Sequence, residues 1–108
     1  RTPLDPVYLS TVAQIIRHAH RAGRTVTVCG EAIDRQHAVL ALYALGVDSV
    51  SLPPNDIPRV RRMFSSLPPD VDRKAVARRL IRCQSPKEVE SVIVDSFFKS
   101  SETMAAPA

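Results

Sequence analysis

Apolar positions recur at helical spacing in the first part of the chain. Tyr8, Val12, Ile15, Ile16 and Ala19 predict one face of an amphipathic helix. Asp5 can cap it, Pro6 suits its first turn, and Gly23 closes it. Thr25-Val26-Thr27-Val28-Cys29 follows at once, short and rich in β-branched residues, and predicts a strand that ends at Gly30. Residues about 36 to 45 predict a helix with Ala38, Leu42 and Leu45 on one face, stopped by Gly46. Val47 to Leu52 predicts a second strand, ended by Pro53-Pro54. Asn55 or Asp56 then caps a short helix through about Ser66, with Pro58 in its first turn.

Alternating helices and strands imply parallel strands joined by crossover helices. Two parallel strands make a poor sheet alone, because parallel sheets are covered on both faces. The expected fold class is therefore α/β: a partial (βα) barrel segment with two parallel strands and flanking helices, followed by two C-terminal helices. The first unit spans residues 1–66. A helical C-terminal extension spans 67–99. In it, residues 72–82 turn Val76, Leu80 and Ile81 inward, and Ser85-Pro86-Lys87-Glu88 forms a capping box for the last helix, whose apolar stripe is Val89, Val92, Ile93 and Phe97. The tail 100–108 reads as disordered.

Composition narrows the reading. The chain has 108 residues, enough for one domain, and 44% of them are hydrophobic. Only 5% are aromatic, so the core must be aliphatic. Net charge is +4, with acids interspersed among the arginines, so Arg59, Arg61, Arg62, Arg73, Lys74, Arg78, Arg79 and Arg82 read as a solvated face, with no nucleic acid partner. No apolar run of membrane-spanning length occurs, so no membrane partner is expected. Cys29 and Cys83 read as reduced thiols of a cytoplasmic protein. His18 and His20 do not share a helix face and His37 lies far away, so the histidines read as solvated, with no metal site. The chain opens on Arg1 rather than Met, which predicts a piece of a longer protein.

Candidate chemistry sits in Thr27-Val28-Cys29-Gly30-Glu31. In α/β barrels, catalytic groups stand at the carboxyl edge of the strands. Gly30 permits a turn or close substrate approach. Cys29 could act as acid, base or nucleophile, and Glu31 could orient it. On spacing alone a strand-end cysteine is more often a small buried hydrophobe than a functional group.

Val28-Cys29-Gly30-Glu31, the preceding His20-Arg21-Ala22-Gly23-Arg24-Thr25-Val26, the following Leu45-Gly46-Val47-Asp48-Ser49-Val50-Ser51-Leu52, and Ile57-Pro58-Arg59-Val60-Arg61 together resemble the last part of the phosphoenolpyruvate-utilising enzyme barrel. Enzyme I of the sugar phosphotransferase system and pyruvate phosphate dikinase share that barrel. The resemblance covers about residues 3 to 64 and is nearer to enzyme I. It implies a phosphoenolpyruvate-protein phosphotransferase fragment, incomplete on its own. Cys29 matches the cysteine that protonates the enolate of pyruvate. Gly30 and Glu31 flank it in the substrate-binding loop, and Ser51 matches a serine at the end of the final strand, in a structural or supporting role. The loop departs from the family pattern: Asp34 and Arg35 stand where a glycine and an aspartate are usual. The resemblance further implies no cofactor within this chain, Mg2+ in the full-length enzyme, phosphoenolpyruvate or pyruvate as ligand, histidine phosphocarrier protein as a partner and homo-oligomerisation. The alternative is a non-catalytic, degenerate barrel module that serves regulation or dimerisation.

Overall fold

A computed structural model describes residues 4–29 and 36–99. Its elements in chain order are α1 (Pro6–Arg21), β1 (Thr27–Cys29), α2 (Gln36–Leu45), β2 (Ser49–Ser51), a 3-10 turn (Pro54–Asp56), α3 (Ile57–Ser65), α4 (Arg73–Ile81), α5 (Pro86–Ile93) and a π-helical turn (Val94–Lys99). The α/β class, the two parallel strands and the two C-terminal helices agree with the sequence reading. The strands are shorter than expected, three residues each, because Thr25, Val26, Val47, Asp48 and Leu52 lie outside the ladder.

Local signals fix most helix ends. Asp5 caps α1 by accepting from the Val7 N–H at 2.8 Å, with Pro6 at the first helical position. Ser85 caps α5 by accepting from the Glu88 N–H at 3.1 Å. Glu88 completes the box one residue early, accepting from the Gln84 N–H rather than from that of Ser85. Asp56 precedes α3 without capping it, and its carboxylate instead lies 3.3 Å from Arg59. Asp72 caps α4 through the Ala75 N–H. Gly23 (φ +72°) and Gly46 (φ +105°) end α1 and α2 in the left-handed region, and the next residue's N–H reaches back to Ala19 and Leu42 respectively.

The core centres on α2. Ala38, Val39, Leu40, Ala41, Leu42, Ala44 and Leu45 are all buried, more than the single face expected, because α1, α4 and α5 all pack against this helix. Leu9 and Ile16 of α1, Val60 and Met63 of α3, Val76 and Leu80 of α4, Leu4, Val47, and Val89, Val92, Ile93 and Phe97 complete the cluster. Two residues assigned inward are exposed. Ile15 is 54% exposed and Ile81 43% exposed, since each lies toward the flank of a helix whose buried face is narrower than its apolar stripe. The C-terminal helices are thus docked on α2 and contribute to the same core. Arg73 strengthens that dock: its guanidinium donates from Nε (3.0 Å) and Nη2 (2.6 Å) to the Tyr43 carbonyl and lies 4.0 Å above the Tyr43 ring. A cation there meets the carbonyl-rich end of α2.

Candidate functional site

β1 and β2 pair in parallel with Thr27 opposite Ser49, Val28 opposite Val50 and Cys29 opposite Ser51. Strand side chains alternate between faces. Val28 and Val50 pack on the core, so Thr27, Cys29, Ser49 and Ser51 stand on the other face, and all four are exposed. The register is fixed by this pattern, because a slip of one residue would expose the valines and bury the polar groups. At the lower rung the Thr27 and Ser49 hydroxyls share a hydrogen bond of 2.6 Å. At the upper rung, at the carboxyl end of both strands, Cys29 and Ser51 are in-register neighbours. The structure therefore brings together two of the four candidate residues. Gly30 and Glu31, with Asp34 and Arg35, lie outside the described residues.

The amino edge of the strands is held by Asp48, to which the sequence reading gave no role. Its Oδ2 accepts from the Val26 N–H at 2.7 Å and shares a hydrogen bond with His20 Nε2 at 2.8 Å. One carboxylate thus ties the end of α1, the entry to β1 and the entry to β2. The His20 bond, then the Val26 bond, holds the Asp48 carboxyl below the ordinary aspartate range. His20 is exposed as expected but is not merely solvated. His37 likewise has a partner, Glu90, and lies beside the Phe98 ring at 5.4 Å. These pairings correct the reading of the histidines as free surface groups. They were missed because the partners lie 28 and 53 residues away in sequence. The Thr27–Ser49 bridge had a sequence signal, the polar residue at every second position of both strands.

Cys29 is exposed, which distinguishes it from the buried-hydrophobe alternative, and Cys83 is partly buried. Burial, with Glu88 nearby, pushes the Cys83 thiol up, and its Sγ donates to the Arg79 carbonyl. That is the behaviour of a structural thiol. Among the described residues no three His, Cys, Asp or Glu side chains converge as metal ligands would. The described residues do not fit a magnesium site. No helix among the described residues is long and apolar enough to cross a membrane.

Comparison with known proteins bears on what this strand pair is. The chain is 31% identical over 91 residues to multiphosphoryl transfer protein 1 of Escherichia coli, covering 84% of this chain and 11% of that protein. It is also 31% identical over 91 residues to the phosphoenolpyruvate-protein phosphotransferase of Staphylococcus carnosus, covering 84% of this chain and 16% of that protein. The corresponding enzyme of Buchnera aphidicola is 28% identical over the same length. The chain thus spans 11–16% of the length of these curated relatives. A match of 91 residues in 108 must include β1, β2, α3 and α4, so the similarity extends past residue 64 into the C-terminal helices. A family model for the phosphoenolpyruvate-binding domain of phosphoenolpyruvate-utilising enzymes matches residues 1–68, which contain both strands and Cys29, and the chain belongs to that family.

Proposed function

We propose that this chain supplies the last two strand–helix units of a phosphoenolpyruvate-protein phosphotransferase barrel, with Cys29 as its proton-transfer group. When the phosphoryl group leaves phosphoenolpyruvate for an acceptor, the remaining fragment is the enolate of pyruvate. The Cys29 thiol gives its proton to the methylene carbon, yielding the methyl group of pyruvate and a thiolate. In reverse the thiolate removes that proton. A thiol's reference pKa near 8.5 places it within reach of such exchange when it stands beside a carbon acid. The observation that carries this reading is the position of Cys29, exposed at the carboxyl end of a parallel strand.

The polar face Thr27, Cys29, Ser49, Ser51 supports a place within a closed barrel, because a parallel sheet is ordinarily covered on both sides. The complete enzyme would draw its magnesium and phosphate-binding groups from outside this chain, take phosphoenolpyruvate or pyruvate as ligand, pass the phosphoryl group to a histidine phosphocarrier protein and work in the cytoplasm. The 108 residues alone transfer no phosphoryl group. They self-associate through the outer edges of β1 and β2, which pair with no other strand among the described residues, giving a mass above that of the monomer in light scattering. A clean monomer at high concentration contradicts the association.

A chimera separates this function from a purely structural module. Residues 1–99 replace the corresponding segment of the Staphylococcus carnosus phosphotransferase, and phosphoryl transfer from phosphoenolpyruvate is measured. Transfer above that of the enzyme lacking the segment supports the catalytic reading. A folded chimera without transfer supports the regulatory or dimerisation module.

A further inference from the structure

Residues 73–87 carry Arg73, Lys74, Arg78, Arg79, Arg82 and Lys87 and no acid. Arg73 is engaged by the Tyr43 carbonyl. Where the chain turns from α4 into α5, the fold brings Arg79, Arg82 and Lys87 to a cleft of about 690 Å³. That volume lies within the range of small-molecule sites. Ser85 and Ser91 add hydroxyls, and Glu88 is the one acid in the lining. Arg79 is held by Asp95 at 3.7 Å and by Ser96 at 3.5 Å. Arg82 and Lys87 are exposed and form no ion pair among the described residues. Burial pushes the Cys83 thiol up, so this lining residue stays neutral and offsets none of the positive charge. The cleft shares no residue with the site around Cys29 and lies wholly beyond residues 1–68.

We propose that the α4–α5 cleft binds a small phosphate monoester. Like charges gathered in one cleft repel, and a bound dianion relieves that repulsion. A phosphate monoester carries nearly two negative charges at neutral pH and three acceptor oxygens. The planar forks of Arg79 and Arg82 match such oxygens, and the Lys87 ammonium adds a compact charge. Ser91 lies one turn beyond Lys87 on the same face of α5 and supplies a hydroxyl donor. The Ser85 oxygen accepts from the Glu88 N–H, which leaves its own proton to donate. A carboxylate brings one charge and two oxygens, too few to satisfy three cations.

The test is an NMR titration of the 108-residue chain, following backbone amides at neutral pH in about 0.1 M chloride, which screens diffuse attraction beyond about 10 Å. The probes are glycerol phosphate, a triglutamate peptide and a phosphoserine tripeptide. Glycerol phosphate is expected to shift the amides around Arg82, Lys87 and Ser91 with a Kd of about 1 mM, the affinity of about three charge-assisted contacts. Arg82→Gln and Lys87→Gln are each expected to weaken binding about fivefold. Arg78→Gln, on the same basic helix but outside the cleft, is expected to leave it within about twofold. All three side chains are exposed, so unchanged shifts in the core will show that the variants keep the fold. Absence of a saturable shift overturns the site. Equal weakening by Arg78→Gln overturns it too, because the attraction then belongs to the basic helix as a whole. Triglutamate binding as tightly as glycerol phosphate overturns the phosphate assignment, and binding of the phosphoserine tripeptide alone overturns the small-molecule ligand.

Discussion

Leu80→Ala probes whether the C-terminal helices belong to the same cooperative unit as the strand pair. Leu80 is fully buried on α4, the helix packed against α1, α2 and α5. Truncating a buried leucine removes its transfer free energy and leaves a cavity, at a cost of about 3 kcal/mol. A domain of this size holds only about 5–15 kcal/mol in all. With a urea dependence of about 1.5 kcal/mol per molar, the midpoint should fall by about 2 M while the slope is unchanged. Arg78→Ala, an exposed change on the same helix, should stay within about 0.5 kcal/mol. The assay follows helix content and the fluorescence of Tyr43, packed against Phe64 and Phe97 beside the strand pair, through the same urea titration. Loss of less than about 1 kcal/mol, or transitions that no longer coincide for the two probes, would refute the view that α4 completes the core around α2.

Asp48→Asn should flatten the acid limb of the stability profile. The folded Asp48 carboxyl lies below the ordinary value of 3.8, so its contribution is full above that value and is lost as pH falls through the lower folded value. Urea midpoints at pH 7 and pH 3 should therefore lie closer together in the variant than in the parent, and an unchanged gap counts against the role assigned to Asp48. Gly46→Ala should destabilise by about 1–3 kcal/mol, because φ of +105° is strained for any residue with a Cβ. Thermal melting reads this directly, and a neutral result would place the α2–β2 turn in another conformation.

What the sequence made legible was chiefly local. Asp5-Pro6 and Ser85-Pro86 announce helix starts because a cap and the N–H that donates to it lie within three residues of each other. Gly23 and Gly46 announce helix ends for the same reason. The parallel pair followed from the alternation of helix and strand, whereas the candidate site was named only through the Cys29 motif and the family resemblance it carries. Non-local contacts were not legible. Nothing near Asp48 says that it will meet both His20 and the Val26 N–H, and nothing near Arg73 says that it will sit over Tyr43. The apolar stripes of α1 and α4 likewise could not say that Ile15 and Ile81 would be left uncovered, because the width of a buried face is set by the neighbouring helices. α2 reversed the error: it was assigned one apolar face and is buried nearly all round, since Val39, Leu40 and Ala41 are apolar as well.

The central claim is that Cys29 moves a proton to and from the methyl carbon of pyruvate. The most direct measurement is exchange of pyruvate methyl protons with solvent deuterium, followed by NMR, in the chimera that carries residues 1–99 of this chain and in its Cys29→Ala variant. General acid–base catalysis is worth roughly 100-fold or more, so exchange should fall by at least about 100-fold in the variant while pyruvate still binds. Exchange that persists at the parent rate without the thiol would contradict the account, and would leave Cys29 as an exposed strand-end residue without a part in the chemistry.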